Sequence, residues 1–248
     1  MSSPCDEMVL VVGLGEVGRP LLDVISKHQR AIGLDITPPI DPIAHVDVMH
    51  ICYPFELQDF IGTTVAYIER FSPSLTVINS TVGIGTTRAI AEHTGAAVVH
   101  SPVRGKHARM RDELLNYTKF VGALDQASAK RAAEHFESMG LKTRVLSSPE
   151  ATELAKLTET TYFGVIIAWA QEVERYCDQL GAEYEEVTSF YEDIKFLPQV
   201  RYYPGIIGGH CVMPNIEILS RLGDSTMLKA ITSSNQKKIE REARRGAA

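Results

Sequence analysis

A β-rich run, MVLVV at residues 8–12, leads straight into Gly13-Leu14-Gly15-Glu16-Val17-Gly18 and on into the helical pattern RPLLDVISKH. This stretch restricts the fold more than any other. Gly13 permits a tight turn, Gly15 lets backbone approach a pyrophosphate, and Gly18 lets the helix pack closely on the strand. The next strand, AIGLD, ends in Asp35. That is the expected distance for a carboxylate that accepts hydrogen bonds from the adenosine ribose hydroxyls and repels a 2′-phosphate. Gly13, Gly15, Glu16, Val17, Gly18 and Asp35 are therefore the candidate dinucleotide site, with NAD favoured over NADP. The plainer alternative is that Asp35 only caps the turn into ITPP.

Strand and helix patterns alternate along the first part of the chain. Apolar runs at 8–12, 31–35, 46–53, 75–80, 96–101 and 118–124 read as buried strands, with helical periodicity in RPLLDVISKH, ELQDFIGTTVAYIERF and SAKRAAEHFESMG. Alternation of this kind predicts a doubly wound parallel sheet. After KTRVLSS the pattern becomes one helix from about Pro149 to Leu180, stopped by Gly181. At 1.5 Å per residue it is roughly 45 Å long, too long for a crossover in a small sheet. The expected organisation is thus an α/β domain over 1–148 and an all-helical domain over 149–248 built on that spine. The apolar centre of the spine, TYFGVIIAWAQEV, predicts burial against another helix or a second subunit, hence a homodimer. A shorter helix is expected in EYEEVTSFYEDI and another from Asn215, with the tail KKIEREARRGAA as a solvated, fraying helix end.

Composition excludes some classes. The net charge is −6, with no low-complexity tracts or repeats, so neither nucleic-acid nor membrane binding is expected. The N-terminus has no cleavable apolar core, which predicts a cytoplasmic protein. The four cysteines, Cys5, Cys52, Cys177 and Cys211, lack C-x-x-C spacing, so neither a zinc cluster nor a disulfide framework is expected. Cys211 stands in PGIIGGHCVMPN, after Gly208, Gly209 and His210. On its own it reads as a nucleophile, a metal ligand or a small apolar residue in a turn. For His210 no convergent ligand set exists, and turn packing is the expectation.

Taken together, GLGEVGRPL, NSTVGIGTT (79–87), HSP (100–102), the E-x-x-K of Glu153 and Lys156, and PGIIGGHCVMPN resemble, in the same order, the UDP-glucose/GDP-mannose dehydrogenase family. The resemblance covers nearly the whole chain. It implies a Rossmann-type domain followed by a helical dimerisation domain, and oxidation of a sugar primary alcohol to a carboxylate with two NAD through a cysteine adduct. Cys211 matches the nucleophile and Lys156 the lysine that stabilises the developing oxyanion; without the resemblance, Lys156 is a surface lysine pairing with Glu153 or Glu159. Thr81 matches a residue at a strand's carboxyl end that orients catalytic water beside the cofactor. Gly208 and Gly209 allow backbone near the reacting carbon, with N–H groups for an oxyanion.

The sequence also departs from the family's pattern. Val103 stands where the family has a glutamate general base, Thr160 where it has an asparagine, and Asn215 where it has an aspartate. The segment between the second and third strands is short, and the stretch after Cys211 is too short for the family's nucleotide-binding domain, so a smaller substrate or a completing partner is expected. HSPVRGKHARMRD places Arg104, Lys106, His107, Arg109 and Arg111 after a strand end. Arg104, Lys106 and His107 are candidates for binding an anionic substrate, with a solvated basic loop as the alternative, and His107 is a candidate base in place of the missing glutamate. Two rival functions remain at this point: a two-electron alcohol or hydroxyacid dehydrogenase without thioester chemistry, and a non-catalytic NAD-binding regulatory module.

Overall fold

The computed structural model describes residues 7–35, 45–56, 59–105, 107–191, 194, 202–209 and 211–246. Cys5, Lys106 and His210 lie outside them, as does part of the expected helix 183–194. The chain forms two compact units, Met1–Lys156 and Leu157–Ala248.

The first unit is a seven-stranded sheet. Its strands are β1 (Met8–Val12), β2 (Arg30–Leu34), β3 (Val48–Ile51), β4 (Leu75–Ile78), β5 (Val98–His100), β6 (Lys119–Ala123) and β7 (Thr143–Leu146), in the order β2-β1-β3-β4-β5-β6-β7. β1 to β5 are parallel, as the alternating pattern implies. Successive residues of β1 face opposite ways and both faces are covered. Val9 and Val11 pack with α1 (Gly18–Ile25), α4 (Met110–Asn116) and α5 (Gln126–Ser138), while Leu10 and Val12 pack with α2 (Phe60–Phe71) and α3 (Thr86–Thr94).

The all-parallel expectation needs one correction. β5 pairs antiparallel with β6, with His100 opposite Gly122, and β7 then runs parallel to β6. The connection from β5 to β6 carries only the seven-residue α4, about 10 Å of helix, and an antiparallel neighbour needs no full crossover. Two consequences shape the site. β6 begins at the carboxyl end of β5, which sets Lys119 beside the carbonyls of Ser101 and Pro102. β7 runs the other way, so the helix that follows it climbs back toward the carboxyl ends of β4 and β5.

That helix is α6 (Pro149–Leu180). Proline suits its first position because the N–H that proline lacks would find no partner there, and Gly181, at φ +69°, ends it. The boundary between the units falls after Lys156, two turns into α6, since Thr152 and Glu153 bond to the sheet unit. The second unit contains the rest of α6 with α7 (Tyr184–Ser189), α8 (Val212–Ser220) and α9 (Thr226–Gly246), around a small core of Ala168, Ile207, Val212, Ile216 and Ile231. A Cβ on Gly164 would come within 2.7 Å of a Val212 methyl, so glycine permits α6 and α8 to approach. No described helix is long and apolar enough to cross a membrane.

The tail departs from expectation. Lys238 is buried and bonds both carboxylate oxygens of Glu174 at 2.8 and 3.0 Å, and Arg241 reaches Glu174 at 2.5 Å and pairs with Asp178. This stretch of α9 is therefore pinned to α6, because its charges find partners some sixty residues earlier in the chain.

Candidate active site

The glycine turn separates into positions fixed by packing and one that is not. Gly13 adopts φ +88°, and a Cβ there would lie 2.8 Å from the Tyr53 nitrogen; a Cβ on Gly18 would collide with the Gly13 carbonyl. Both are demanded by the fold itself. A Cβ on Gly15 would meet nothing within 4 Å. Gly15 is exposed, as is Glu16, while Val17 is half-buried and stands at the N-cap of α1 with no side-chain cap. The Arg19 N–H reaches the Gly15 carbonyl at 3.2 Å and Pro20 carries no N–H, so what the turn offers a pyrophosphate is the open space at Gly15 beside the positive end of α1. Asp35 is exposed at the end of β2, and its carboxylate accepts the Leu14 N–H at 3.3 Å. The residues present fit a dinucleotide.

A second group gathers at the carboxyl ends of β4 and β5. Thr81 is half-buried just beyond β4. His100 is wholly buried, with Nε2 3.1 Å from the Ser80 carbonyl and Nδ1 2.8 Å from the Thr152 hydroxyl. A carbonyl only accepts, so the His100 proton sits on Nε2, and Nδ1 faces the Thr152 hydroxyl, whose single proton also lies within reach of the Pro149 carbonyl at 2.8 Å. Burial first, then the Lys119 and Lys156 charges, push the His100 pKa down to about 3, although the Ser80 contact opposes the shift. The ring is neutral. Glu153, also fully buried, accepts the Gly85 N–H at 2.7 Å, the Thr87 N–H at 2.9 Å and the Thr87 hydroxyl at 2.7 Å. It therefore binds the start of α3. Lys156 lies near enough for its charge to lower both His100 and Lys119.

Val103 sits in the apolar core with Met110, Leu114 and Phe136. A carboxylate there would be buried among hydrocarbon. The basic run after it is partly engaged: Arg104 stacks on Tyr117 and Phe120, with its guanidinium 5.5 and 5.4 Å from the ring centres, and Arg109 pairs with Glu113 at 3.2 Å. His107 opens a 3₁₀ turn, His107–Arg109, while Arg111 is exposed on α4.

Behind these groups runs a buried polar chain that the strand-by-strand reading missed. Lys119 donates to Asn79 Oδ1 at 3.3 Å, Asn79 Nδ2 lies 3.1 Å from His50 Nδ1, His50 Nε2 lies 3.0 Å from His135 Nε2, and His135 Nδ1 lies 3.3 Å from Glu7. Lys119 fixes the Asn79 amide, so Asn79 donates to His50, His50 donates through Nε2 to His135, and His135 donates to Glu7. Burial pushes the Lys119 pKa down to about 7 and that of His50 well below the usual value. The sequence signal was a polar residue set among apolar strand residues, His50 within β3 and Asn79 directly after β4.

In the second unit, Thr160 is half-buried on α6, one turn beyond Lys156. Cys211 is exposed at the N-cap of α8, after Gly208 and Gly209, where a Cβ would meet nothing; Gly209 has φ +76°. Among the described cysteines it alone is exposed, for Cys177 is buried and burial raises the Cys52 thiol to about 12. Asn215, one turn on, is buried. The loop before Cys211 is held by residues outside every motif. Asn235 accepts the Ile207 N–H at 2.7 Å and donates to its carbonyl at 2.9 Å, and Gln171 donates to the Gly205 carbonyl at 2.7 Å. A polar pair buried between α6 and α9 was the available clue.

Fold and motif together define a dinucleotide-binding α/β unit followed by a helical unit. Residues 150–239 match the UDP-glucose/GDP-mannose dehydrogenase family, central domain. The UDP-N-acetyl-D-mannosamine dehydrogenase of Methanococcus vannielii is 26% identical over 200 residues, which are 80% of this chain and 46% of that protein. The chain spans just under half the length of the relatives it first matches. A UDP-D-ManNAc dehydrogenase structure from Pyrococcus horikoshii superposes with a TM-score of 0.80 at 20% identity, covering 93% of this chain and 68% of that one. The 3-hydroxyisobutyrate dehydrogenase of Mycobacterium tuberculosis, with L-serine, gives 0.70 at 15% identity, covering 96% of this chain and 94% of that one. These likenesses establish the Rossmann-like architecture.

Proposed function

We propose that the chain is an NAD-dependent dehydrogenase of a nucleotide sugar, with UDP-N-acetylmannosamine the first substrate to try. What carries this reading is that one matched stretch, 150–239, contains Lys156, Thr160, Cys211 and Asn215. Gly13, Gly15, Glu16, Val17, Gly18, Thr81 and Asp35 would hold NAD, which when bound supplies the hydride acceptor. Lys156 stabilises the alkoxide left as the substrate hydroxyl loses its proton, and Thr81 orients water. Once an aldehyde exists, the Cys211 thiolate adds to its carbon, and the Gly208 and Gly209 N–H groups stabilise the oxygen anion that forms. Arg104, Lys106 and His107 bind the substrate's anionic part.

Hydrolysis of a thioester would still need a base, a role for which the basic run offers His107. Val103 has no proton to exchange, and Thr160 and Asn215 carry neutral groups that orient water without accepting its proton at neutral pH. That favours a second reading, oxidation of an alcohol to a carbonyl only, and the full-length architectural likeness to a hydroxyacid dehydrogenase supports it as well. Counting NADH per product separates the two: two equivalents support the carboxylate reading, and one supports simple oxidation. Cys211→Ala that keeps full turnover with two equivalents would remove the covalent step.

A homodimer through α6 belongs to this proposal. Tyr162, Trp169 and Tyr176 are exposed on α6 at seven-residue spacing, so they form one aromatic stripe.

A further inference from the structure

We propose that Glu153 is a positioning residue, which fixes the loop bearing Thr81 against the first turns of the helix bearing Lys156. The proposal rests on the roles given to Thr81 and Lys156 above.

The N-cap of α3 is Gly85, at φ +87°, a residue with no side chain to cap the helix. The Thr86 N–H reaches the nearby Gly83 carbonyl, but the Gly85 and Thr87 N–H groups find their acceptors 66 to 68 residues away on Glu153. Two other helices of the same unit are capped locally: Asp59 accepts from Gly62 at the start of α2, and Asp125 from Ser128 at the start of α5. Burying a whole carboxylate is the costlier solution. Desolvation raises the Glu153 pKa in spite of its three hydrogen bonds. A local cap would satisfy α3 equally well; only a distant one ties α3 to α6.

The other end of the same loop is tied to the same turn of α6. His100 donates to the Ser80 carbonyl and meets the hydroxyl of Thr152, the residue before Glu153, at 2.8 Å. Thr81 lies between the two ties, directly after Ser80 and four residues before Gly85. Lys156 lies three residues beyond Glu153, on the next turn. A slip of α6 along the loop would break both ties at once, so Thr81 and Lys156 are held in one register. Catalysis by two groups from separate segments is sensitive to small misplacements, and about 1 Å can cost a hundredfold.

The test uses the full chain with Glu153→Gln, which removes the charge and sets an amide N–H against the Gly85 or Thr87 donors, and Glu153→Asp, which keeps the charge but shortens the reach. Both are expected to lower kcat with UDP-N-acetylmannosamine by about tenfold or more. The backbone amide signals of Thr81 and Lys156 should move in both variants, and the Gly85 and Thr87 amides should exchange faster. Faster exchange with unchanged kcat and unmoved Thr81 and Lys156 signals would reduce Glu153 to a helix cap and overturn the proposal. Full rescue by Glu153→Asp would reduce it to a charge and overturn the proposal too. Should Glu153→Gln fail to fold, Thr87→Val removes one of the three bonds and carries the same expectations in smaller measure. A parent that oxidises no nucleotide sugar defeats the functional reading alone, and the amide signals still decide the tie.

Discussion

Gly15 and Gly18 lie in one turn but answer to different forces. Gly18 has no room for a side chain because the Gly13 carbonyl lies where its Cβ would be, whereas Gly15 has room that the protein leaves unused. Gly18→Ala is therefore expected to destabilise the fold by about 1–3 kcal/mol through overpacking. Gly15→Ala should melt like the parent and lose NAD affinity; calorimetry and NAD titration on both variants test the contrast, and equal melting temperatures with equal affinities would sink it. His100 gives a residue-scale prediction about pH. Its folded pKa, about 3, lies below the usual 6.5, so the unfolded chain takes up the proton first. Its contribution is complete above about pH 6.5 and is lost as pH falls toward 3. Urea unfolding at pH 4.5 and pH 7.5 should show a parent that loses more stability on acidification than His100→Asn; equal losses would mean the buried ring is not held neutral. The glycine roles were legible in the sequence because steric rules act within a few residues. The neutral His100 was not, since its state depends on Ser80, Thr152 and two lysines brought together only by the sheet.

At the scale of elements, α6 could be read almost to the residue because proline opens it and glycine closes it. The directions of β6 and β7 could not, for an apolar strand pattern is the same read either way. α8 starts at Val212, three residues before the expected Asn215, because the turn at Gly208 and Gly209 brings Cys211 to the helix N-cap. The charged tail misled for a further reason: a run of Lys, Glu and Arg reads as solvated unless its partners are known. Glu174 supplies them. Its side chain is 15% exposed, and those of Lys238 and Arg241 are 6% and 17% exposed, so this is a largely buried ion group, not a surface pair. Removing one member of such a group leaves uncompensated charge, and Glu174→Ala is expected to cost about 3 kcal/mol in urea unfolding. Arg244, which among the described residues donates to the carbonyl of Glu240 on its own helix, should tolerate alanine with a change within about 0.5 kcal/mol. Equal costs at the two positions would return the tail to the solvated reading.

For the molecule as a whole, the open question is what covers the aromatic stripe on α6. Seven residues along an α-helix return to within about 20° of the starting direction, so Tyr162, Trp169 and Tyr176 stay on one face over four turns. Tyr162 is 58% exposed, Trp169 55% and Tyr176 48%. Single exposed apolar residues are ordinary on any protein, but three large aromatic ones in register form a continuous surface, and aromatic residues are enriched where protein surfaces meet. A two-fold dimer fits such a stripe because the same face on a second copy is equally apolar. Trp169 stands at its centre. The parent is expected to sediment as a dimer at micromolar concentration, and Trp169→Glu as a monomer, since two glutamates would face each other across the axis without counter-charge. The substitution should leave the subunit folded, because Trp169 lies outside the small core formed by Ala168, Ile207, Val212, Ile216 and Ile231. A parent that sediments as a monomer, or a Trp169→Glu variant that remains dimeric, would move the subunit contact off this face and leave the stripe to another partner.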